Sequence, residues 1–223
     1  MSKTILQLTF IATCLIVVST GCGSTPEVGE TSDESLTAEG DTALQGEPHA
    51  VMETDRGTIV IRLLSDLAPR TVENFVELAE TGFYGRTVFH RVLPDKMIQG
   101  GDPNSKDNDP FNDGQGNSGT FLRAEFSSRP VSRGTVAMAR QPGDPDSSSS
   151  QFFIAMERSP EWDGDYTIFG EVVEGIEVAQ EISRIPLSKD ERLRSRPAVA
   201  IRIKQIVIEH REVVEEADEA TAG

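Results

Sequence analysis

Phe89-His90-Arg91-Val92-Leu93-Pro94-Asp95-Lys96-Met97-Ile98-Gln99-Gly100-Gly101-Asp102 is the stretch around which the rest of the chain can be read. Up to Pro94 it alternates with the period of a β-strand, which places Phe89 and Arg91 on one face and His90 and Val92 on the other. Pro94-Asp95 interrupts the strand, and the short apolar run Met97-Ile98 leads into a Gly-Gly turn. A guanidinium, a thioether and an amide, from Arg91, Met97 and Gln99, thus come together on crossing strands. Later segments share this apolar, β-rich character: Gly134–Ala139, Gln151-Phe152-Phe153-Ile154 and Tyr166-Thr167-Ile168-Phe169-Gly170.

Outward from there, Ala50–Glu53 and Thr58–Leu64 alternate as strands around Thr54-Asp55-Arg56-Gly57, a hairpin turn with Gly57 where positive φ is required. Ala68-Pro69 opens a helix whose buried face is Val72, Phe75, Val76 and Ala79, ended by Gly82. Thr87–Val92 is the next strand, and more are expected at 134–140, 151–156 and 166–173. Gly175–Arg184 reads as a second helix burying Ile176, Val178, Ala179 and Ile182, and Val199–Glu209 as a closing strand. Strands dominate and no βαβ rhythm appears, so a closed antiparallel barrel with helical caps is expected, since closure removes exposed edges.

Charge and cysteine usage narrow the chemistry. Residues 23–49 hold seven acids and no base, and residues 211–223 hold five acids and one base. Outside the tails, residues 50–210 carry a net charge of −6 against −16 for the chain, with no basic stripe to bind nucleic acid. The only cysteines are Cys14 and Cys22, so the domain has no thiol nucleophile, disulfide or cysteine-ligated metal. With His90 the only histidine well inside it, a His-rich zinc site is also disfavoured. No metal and no organic cofactor is expected. Gly114-Gln115-Gly116-Asn117-Ser118-Gly119 matches a dinucleotide fingerprint in letters alone, because no strand precedes it and no helix begins in it. Residues 103–120 are therefore expected to be a solvated polar loop, as is Ser147–Ser150, which lacks the Gly-x-Ser-x-Gly setting of a hydrolase serine.

Met1–Gly21 has the form of a secretory signal: Lys3, an apolar run from Ile5 to Val18, then small residues. Ser19-Thr20-Gly21-Cys22 resembles a bacterial lipobox, which implies lipidation of Cys22; with serine in the usual leucine position, cleavage at a nearby small residue is the alternative. Residues 22–49 are too poor in apolar side chains to offset their ordering entropy and are read as an acidic tether. Residues 211–223 are read as an acidic tail.

The central stretch, together with Gly134–Ala139, Gln151–Ile154 and Tyr166–Gly170 in that order, resembles the signature of the cyclophilins, the peptidyl-prolyl isomerases. The resemblance spans roughly residues 50–209, within the expected isomerase domain of residues 50–210, and implies eight strands capped by two helices. It implies that Arg91 sits beside the prolyl bond, that Gln99 and Gln151 bind the substrate backbone or orient the arginine, and that Met97 and Phe153 wall the proline socket. Ala139, Arg140, Trp162, Tyr166 and Lys96 fall at further substrate-binding positions.

Some of these depart from the family. Lys96 stands where a socket phenylalanine is usual, Arg140 where an asparagine follows the Met-Ala pair, and Tyr166 where eukaryotic members often carry histidine. Trp162 takes the place of a pocket-wall leucine and Glu161 that of a frequent tryptophan, which puts cyclosporin sensitivity in question. The loop Gln141–Ser150 is longer than the family leads one to expect. The resulting expectation is a monomeric prolyl isomerase, lipid-anchored on the periplasmic side of a bacterial membrane, whose partners are proline-containing unfolded or exported polypeptides. The alternative is a non-catalytic proline-peptide binding module on the same fold, in which Lys96 and Arg140 have altered the socket.

Overall fold

The computed structural model of the chain describes residues 46–212. The expected signal segment, Cys22, nearly all of the tether and all but the first residues of the acidic tail lie outside the described residues.

Strands β1 (Glu47–Thr54) and β2 (Gly57–Leu63) form the expected hairpin. The Thr54 hydroxyl donates to the Gly57 carbonyl at 2.7 Å, and Gly57 has φ +136°, a conformation that side chains disfavour. Helix α1 (Pro69–Glu80) begins with proline and buries Val72, Phe75 and Ala79, while Val76 is half-exposed. Its N-terminus is held from afar: the Glu125 carboxylate accepts from the backbone N–H groups of Arg70 (3.2 Å) and Thr71 (2.9 Å) and from the Thr71 hydroxyl (2.7 Å).

The remaining elements are β3 (Arg91–Leu93), β4 (Met97–Gly100), β5 (Thr135–Met138), β6 (Phe152–Ala155), β7 (Ile168–Glu174), α2 (Ile176–Ser183) and β8 (Ile203–Arg211). Helix α2 fully buries Ala179 and Ile182, with Ile176 and Val178 only partly covered. The strands form one antiparallel sheet in the order β3-β4-β6-β5-β7-β2-β1-β8. The expected closed barrel is corrected here to an open half-barrel. No ladder joins the end strands β3 and β8; a single bridge, Val88 to Arg202, and a few backbone hydrogen bonds such as Phe89 N–H to Ile201 O (3.0 Å) cross the seam. A three-residue β3 is too short to continue the ladder.

That irregularity also overturns the expected alternation ahead of Arg91. Phe89 is fully buried in the same core as Val92, whereas Arg91 is exposed, because the chain enters β3 from a non-strand segment. The reversal sits at Pro94-Asp95, as expected, and the apolar Met97-Ile98 opens β4, which runs into the Gly100-Gly101 pair, where Gly101 has φ +82°. Asp95 takes a left-handed φ of +56°, and its carboxylate accepts from Arg184 Nε (2.7 Å) and Gln180 Nε2 (2.6 Å), tying the hairpin to α2.

Strand alternation divides the buried side chains between two clusters. Ile98, Val136, Met138, Phe152 and Ile154 join the main core with Phe75, Tyr84 and Phe169. Their neighbours Met97, Ala137, Phe153 and Ala155 face the opposite way, into a smaller cluster with Val131 and Ile168. Both faces of these strands are covered, which is why their sequences read as continuous apolar runs.

Candidate active site

The smaller cluster opens on one side into a cavity of about 790 Å³. The β3–β4 register sets Arg91 directly opposite Gln99, and the β4–β6 register sets Gln99 opposite Phe153. Arg91, Met97, Gln99, Ala139, Arg140, Phe153, Trp162 and Tyr166, eight of the residues singled out in the sequence, all border this one cavity. Gln151 borders a neighbouring groove of about 550 Å³ that shares Gln99, Ala139 and Arg140 with the first.

Polar side chains run across the site in one direction. Arg91 Nη1 donates to Gln99 Oε1 (3.0 Å), Gln99 Nε2 donates to Gln151 Oε1 (3.0 Å), and Gln151 Nε2 donates to the Gly116 carbonyl (2.8 Å). Each amide both accepts and donates, so the row fixes their orientation and leaves Arg91 further N–H groups for a ligand. Among the described residues Arg91 has no carboxylate partner.

The apolar wall is built by aromatic edges. Phe153 meets Trp162 at 5.3 Å and Tyr166 at 5.2 Å between ring centroids, both nearly perpendicular, and Met97 packs into the same cluster. Arg140 lies 5.1 Å from the Tyr166 ring centroid, and its Nε donates to the Asp165 carbonyl at 2.8 Å.

Lys96 is the exception among the sequence-derived candidates, because it borders neither cavity. Its ammonium lies 5.0 Å from the Trp162 centroid and 2.5 Å from Glu161 Oε1, on the outside of the aromatic wall. That hydrogen bond holds Lys96 above the usual lysine range and Glu161 below the usual carboxylate range.

His90 is buried and borders the cavity, and among the described residues neither ring nitrogen has a hydrogen-bond partner. Burial pushes its pKa down to about 4, against the opposing pull of Asp102, so the ring is neutral at pH 7.

The opposite wall was not read from the sequence. Pro110, Asp113 and Gly114 contribute one part of it and residues 191–196 the other. Arg196 forms an ion pair with Asp113, and the Arg192 guanidinium sits 4.3 Å from the Phe111 ring centroid, so the two loops are stapled together. The alternating arginines of Arg192-Leu193-Arg194-Ser195-Arg196 were the available signal.

The loop 103–120 is solvated as expected, Ser105 alone being buried, and it is organised from its base by the fully buried Asp102, which accepts from the backbone N–H groups of Asn104 (2.9 Å) and Gly114. A Cβ on Gly116 would lie 2.1 Å from Asp102 Oδ1, so this glycine serves close packing where a phosphate-binding loop had been excluded. The expected solvated serine run is corrected from Ser148 onward: Ser148, Ser149 and Ser150 are buried, Ser149 Oγ accepting from Ser118 N–H (3.0 Å) and Ser150 Oγ donating to Gly101 O (2.9 Å).

An apolar socket beside a permanently charged, forked donor suits a reaction that needs a bound and polarised amide. Among the described residues it offers no hydrogen-bonded nucleophile–base pair.

Comparison with known proteins agrees with this geometry. The family described as cyclophilin type peptidyl-prolyl cis-trans isomerase/CLD matches residues 49–208. A relative in Neurospora crassa, peptidyl-prolyl cis-trans isomerase-like 1, is 35% identical over 159 residues, 68% of this chain and 88% of the relative. A relative in Gibberella zeae, peptidyl-prolyl cis-trans isomerase-like 2, is 39% identical over 162 residues, 71% of this chain but only 26% of that longer protein. Among solved structures, a cyclophilin-type peptidyl-prolyl cis-trans isomerase of Cryptosporidium parvum, crystallised in the presence of the dipeptide Ala-Pro, superposes with a TM-score of 0.65 at 29% identity, covering 73% of this chain and 99% of its own. The chain belongs to the cyclophilin-type peptidyl-prolyl cis-trans isomerase family.

Proposed function

We propose that the domain catalyses cis-trans isomerisation of X-Pro bonds, with Arg91 as the catalytic donor. Rotation about a prolyl bond must break amide resonance, a barrier of about 18–20 kcal/mol that leaves the uncatalysed event at roughly tens of seconds. Lowering it by about 5 kcal/mol accelerates rotation several-thousand-fold. No proton transfer is required. The proline ring enters the socket of Met97, Phe153, Trp162 and Tyr166, and the Arg91 fork donates to the prolyl nitrogen or rotating carbonyl, interactions that strengthen as the amide twists. Gln99 holds Arg91 in place, while Gln151, Ala139 and Arg140 bind the flanking backbone.

The observation that carries this reading is the Arg91–Gln99 pair at 3.0 Å on the rim of an apolar socket. The test is relaxation of a short X-Pro peptide displaced from its cis-trans equilibrium: acceleration by the chain supports isomerase activity, and none from a folded chain contradicts it. A second reading, the non-catalytic binding module, draws on Lys96, whose charge lies against the Trp162 wall. In that case proline peptides change Trp162 fluorescence without faster relaxation.

The substrates we propose are exported polypeptides, met by a monomeric domain on the periplasmic side of a bacterial membrane to which lipidated Cys22 is anchored. The mass of the mature N-terminal peptide tests this. A diacylglyceryl-modified Cys22 as first residue supports the anchor; an unmodified Cys22 or a retained segment 1–21 contradicts it.

A further inference from the structure

The cavity carries the opposite charge to the chain around it. Five arginines border it, Arg91, Arg140, Arg192, Arg194 and Arg196, against two carboxylates, Asp113 and Glu191, in a protein of net charge −16. Two of the five are neutralised locally: Arg196 by Asp113, and Arg192 by Asp190 at 2.7 Å. The other three have only neutral partners at hydrogen-bond distance among the described residues. Arg91 donates to Gln99, Arg194 Nε to the Glu191 carbonyl (3.0 Å), and Arg140 to the Asp165 and Gln141 carbonyls. The Asp165 carboxylate stands 4.0 Å from Arg140, and Glu191 is the one lining carboxylate without an ion pair.

These three guanidiniums border one cavity. Arg91 is at the socket and is spoken for by the prolyl amide in the function proposed above. Arg140, on the chain just beyond β5, and Arg194, on the loop that builds the opposite wall, leave two further positive centres bordering the same cavity. Each is held by backbone carbonyls, so its orientation does not depend on a ligand and little side-chain freedom is lost on binding one. The opposite wall is itself fixed by the Arg196–Asp113 pair and by the stacking of Arg192 on Phe111.

We propose that this groove selects X-Pro segments carrying an anionic side chain next to the proline, read by Arg194 and Arg140. The shared chemistry is a carboxylate or a phosphate, supplied by aspartate or glutamate on one hand and by a phosphorylated serine or threonine on the other. This rests on the prolyl-peptide reading of the site and names the substrate class within it. The overall negative charge of the chain repels anions at long range, so a preference for them is the work of the local arginines.

The test uses the full chain and four peptides differing at one position, Ala-Pro, Lys-Pro, Glu-Pro and phosphoserine-Pro, each followed for binding through Trp162 fluorescence and for isomerisation. Glu-Pro is expected to bind about fivefold tighter than Ala-Pro at low salt, with the gap closing as salt rises, and Lys-Pro weaker than either. The phosphoserine peptide exceeds Glu-Pro if phosphate is the preferred anion and equals or trails it if carboxylate is. In Arg194→Glu, on an exposed loop position, the Glu-Pro to Lys-Pro ratio falls or inverts. Equal binding of Ala-Pro, Lys-Pro and Glu-Pro, or a ratio untouched by Arg194→Glu, overturns the proposal. Absence of isomerisation on all four peptides overturns the catalytic reading alone, since the binding ratios report the preference separately.

Discussion

Lys96 and Glu161, the two positions at which the resemblance led one to expect aromatic side chains, are partners: the ammonium lies 2.5 Å from the carboxylate and 5.0 Å from the Trp162 centroid. The two departures are therefore one. Glu161 holds the lysine away from the cavity, and its stem and charge cover the outer side of Trp162.

Lys96→Ala should uncover Trp162 and shift its emission to the red, with little effect on overall stability because both charges are solvent-exposed. Glu161→Gln should give part of the same shift. Glu161 lies below the ordinary carboxylate range, so the pair is intact above that range and is lost as pH falls through the depressed value. On the alkaline side the raised value of Lys96 keeps the pair charged beyond the ordinary lysine pKa. Emission that is the same in both variants and the parent contradicts this arrangement.

His90 supplies a stability prediction with a defined pH window. The unfolded chain binds a proton on this ring below about pH 6.5, while the folded chain resists it down to about pH 4. The unfolded state thus holds more protons between these values, and stability falls as pH drops through them, by on the order of 3 kcal/mol from this group. Urea unfolding across that window should show the loss, and His90→Gln should flatten it. An equal acid slope in the variant would place the effect in the carboxylates.

The β3–β4 turn is a third point of test, since it aligns Arg91, Met97 and Gln99. Asp95 is one of two non-glycine residues with positive φ among the described residues, and its carboxylate holds α2. Asp95→Ala should destabilise by about 1–2 kcal/mol, because alanine bears the left-handed backbone cost without the side-chain contacts. Asp95→Gly loses the same contacts but relieves the backbone, so it should be the milder change in thermal unfolding. The reverse ranking contradicts a strained turn.

Much of this site was legible in the sequence because its parts are local. Arg91, Met97 and Gln99 lie on one hairpin that the sequence pattern marks, while Phe153 and Tyr166, on or beside apolar strands, were placed with them by the family resemblance. The opposite wall was not legible. Asp113 and Arg196 are 83 positions apart and meet only through the fold, and nothing local marks Asp102 as buried. The polar composition of Ser147–Ser150 suggested solvent, yet hydrogen bonds with Ser118 and Gly101 satisfy the Ser149 and Ser150 hydroxyls inside the protein. Lys96 was misplaced for a related reason: its sequence position names the socket, but the side-chain direction depends on Glu161, 65 residues away. The expected barrel closure failed at β3, where alternation persists in the letters of Phe89–Leu93 although only Arg91–Leu93 pair as a strand.

The most direct test of the central claim is two-dimensional exchange NMR on an Ala-Pro peptide with sub-stoichiometric protein, comparing the parent with Arg91→Ala and Arg91→Lys. Exchange cross-peaks between cis and trans resonances report turnover, and peptide shift changes report binding in the same sample. The account predicts strong exchange with the parent, a loss of roughly a hundredfold or more in Arg91→Ala with binding largely kept, and a partial loss in Arg91→Lys, which keeps the charge but not the fork. Equal exchange in all three, or binding by the parent with no exchange at all, would contradict it.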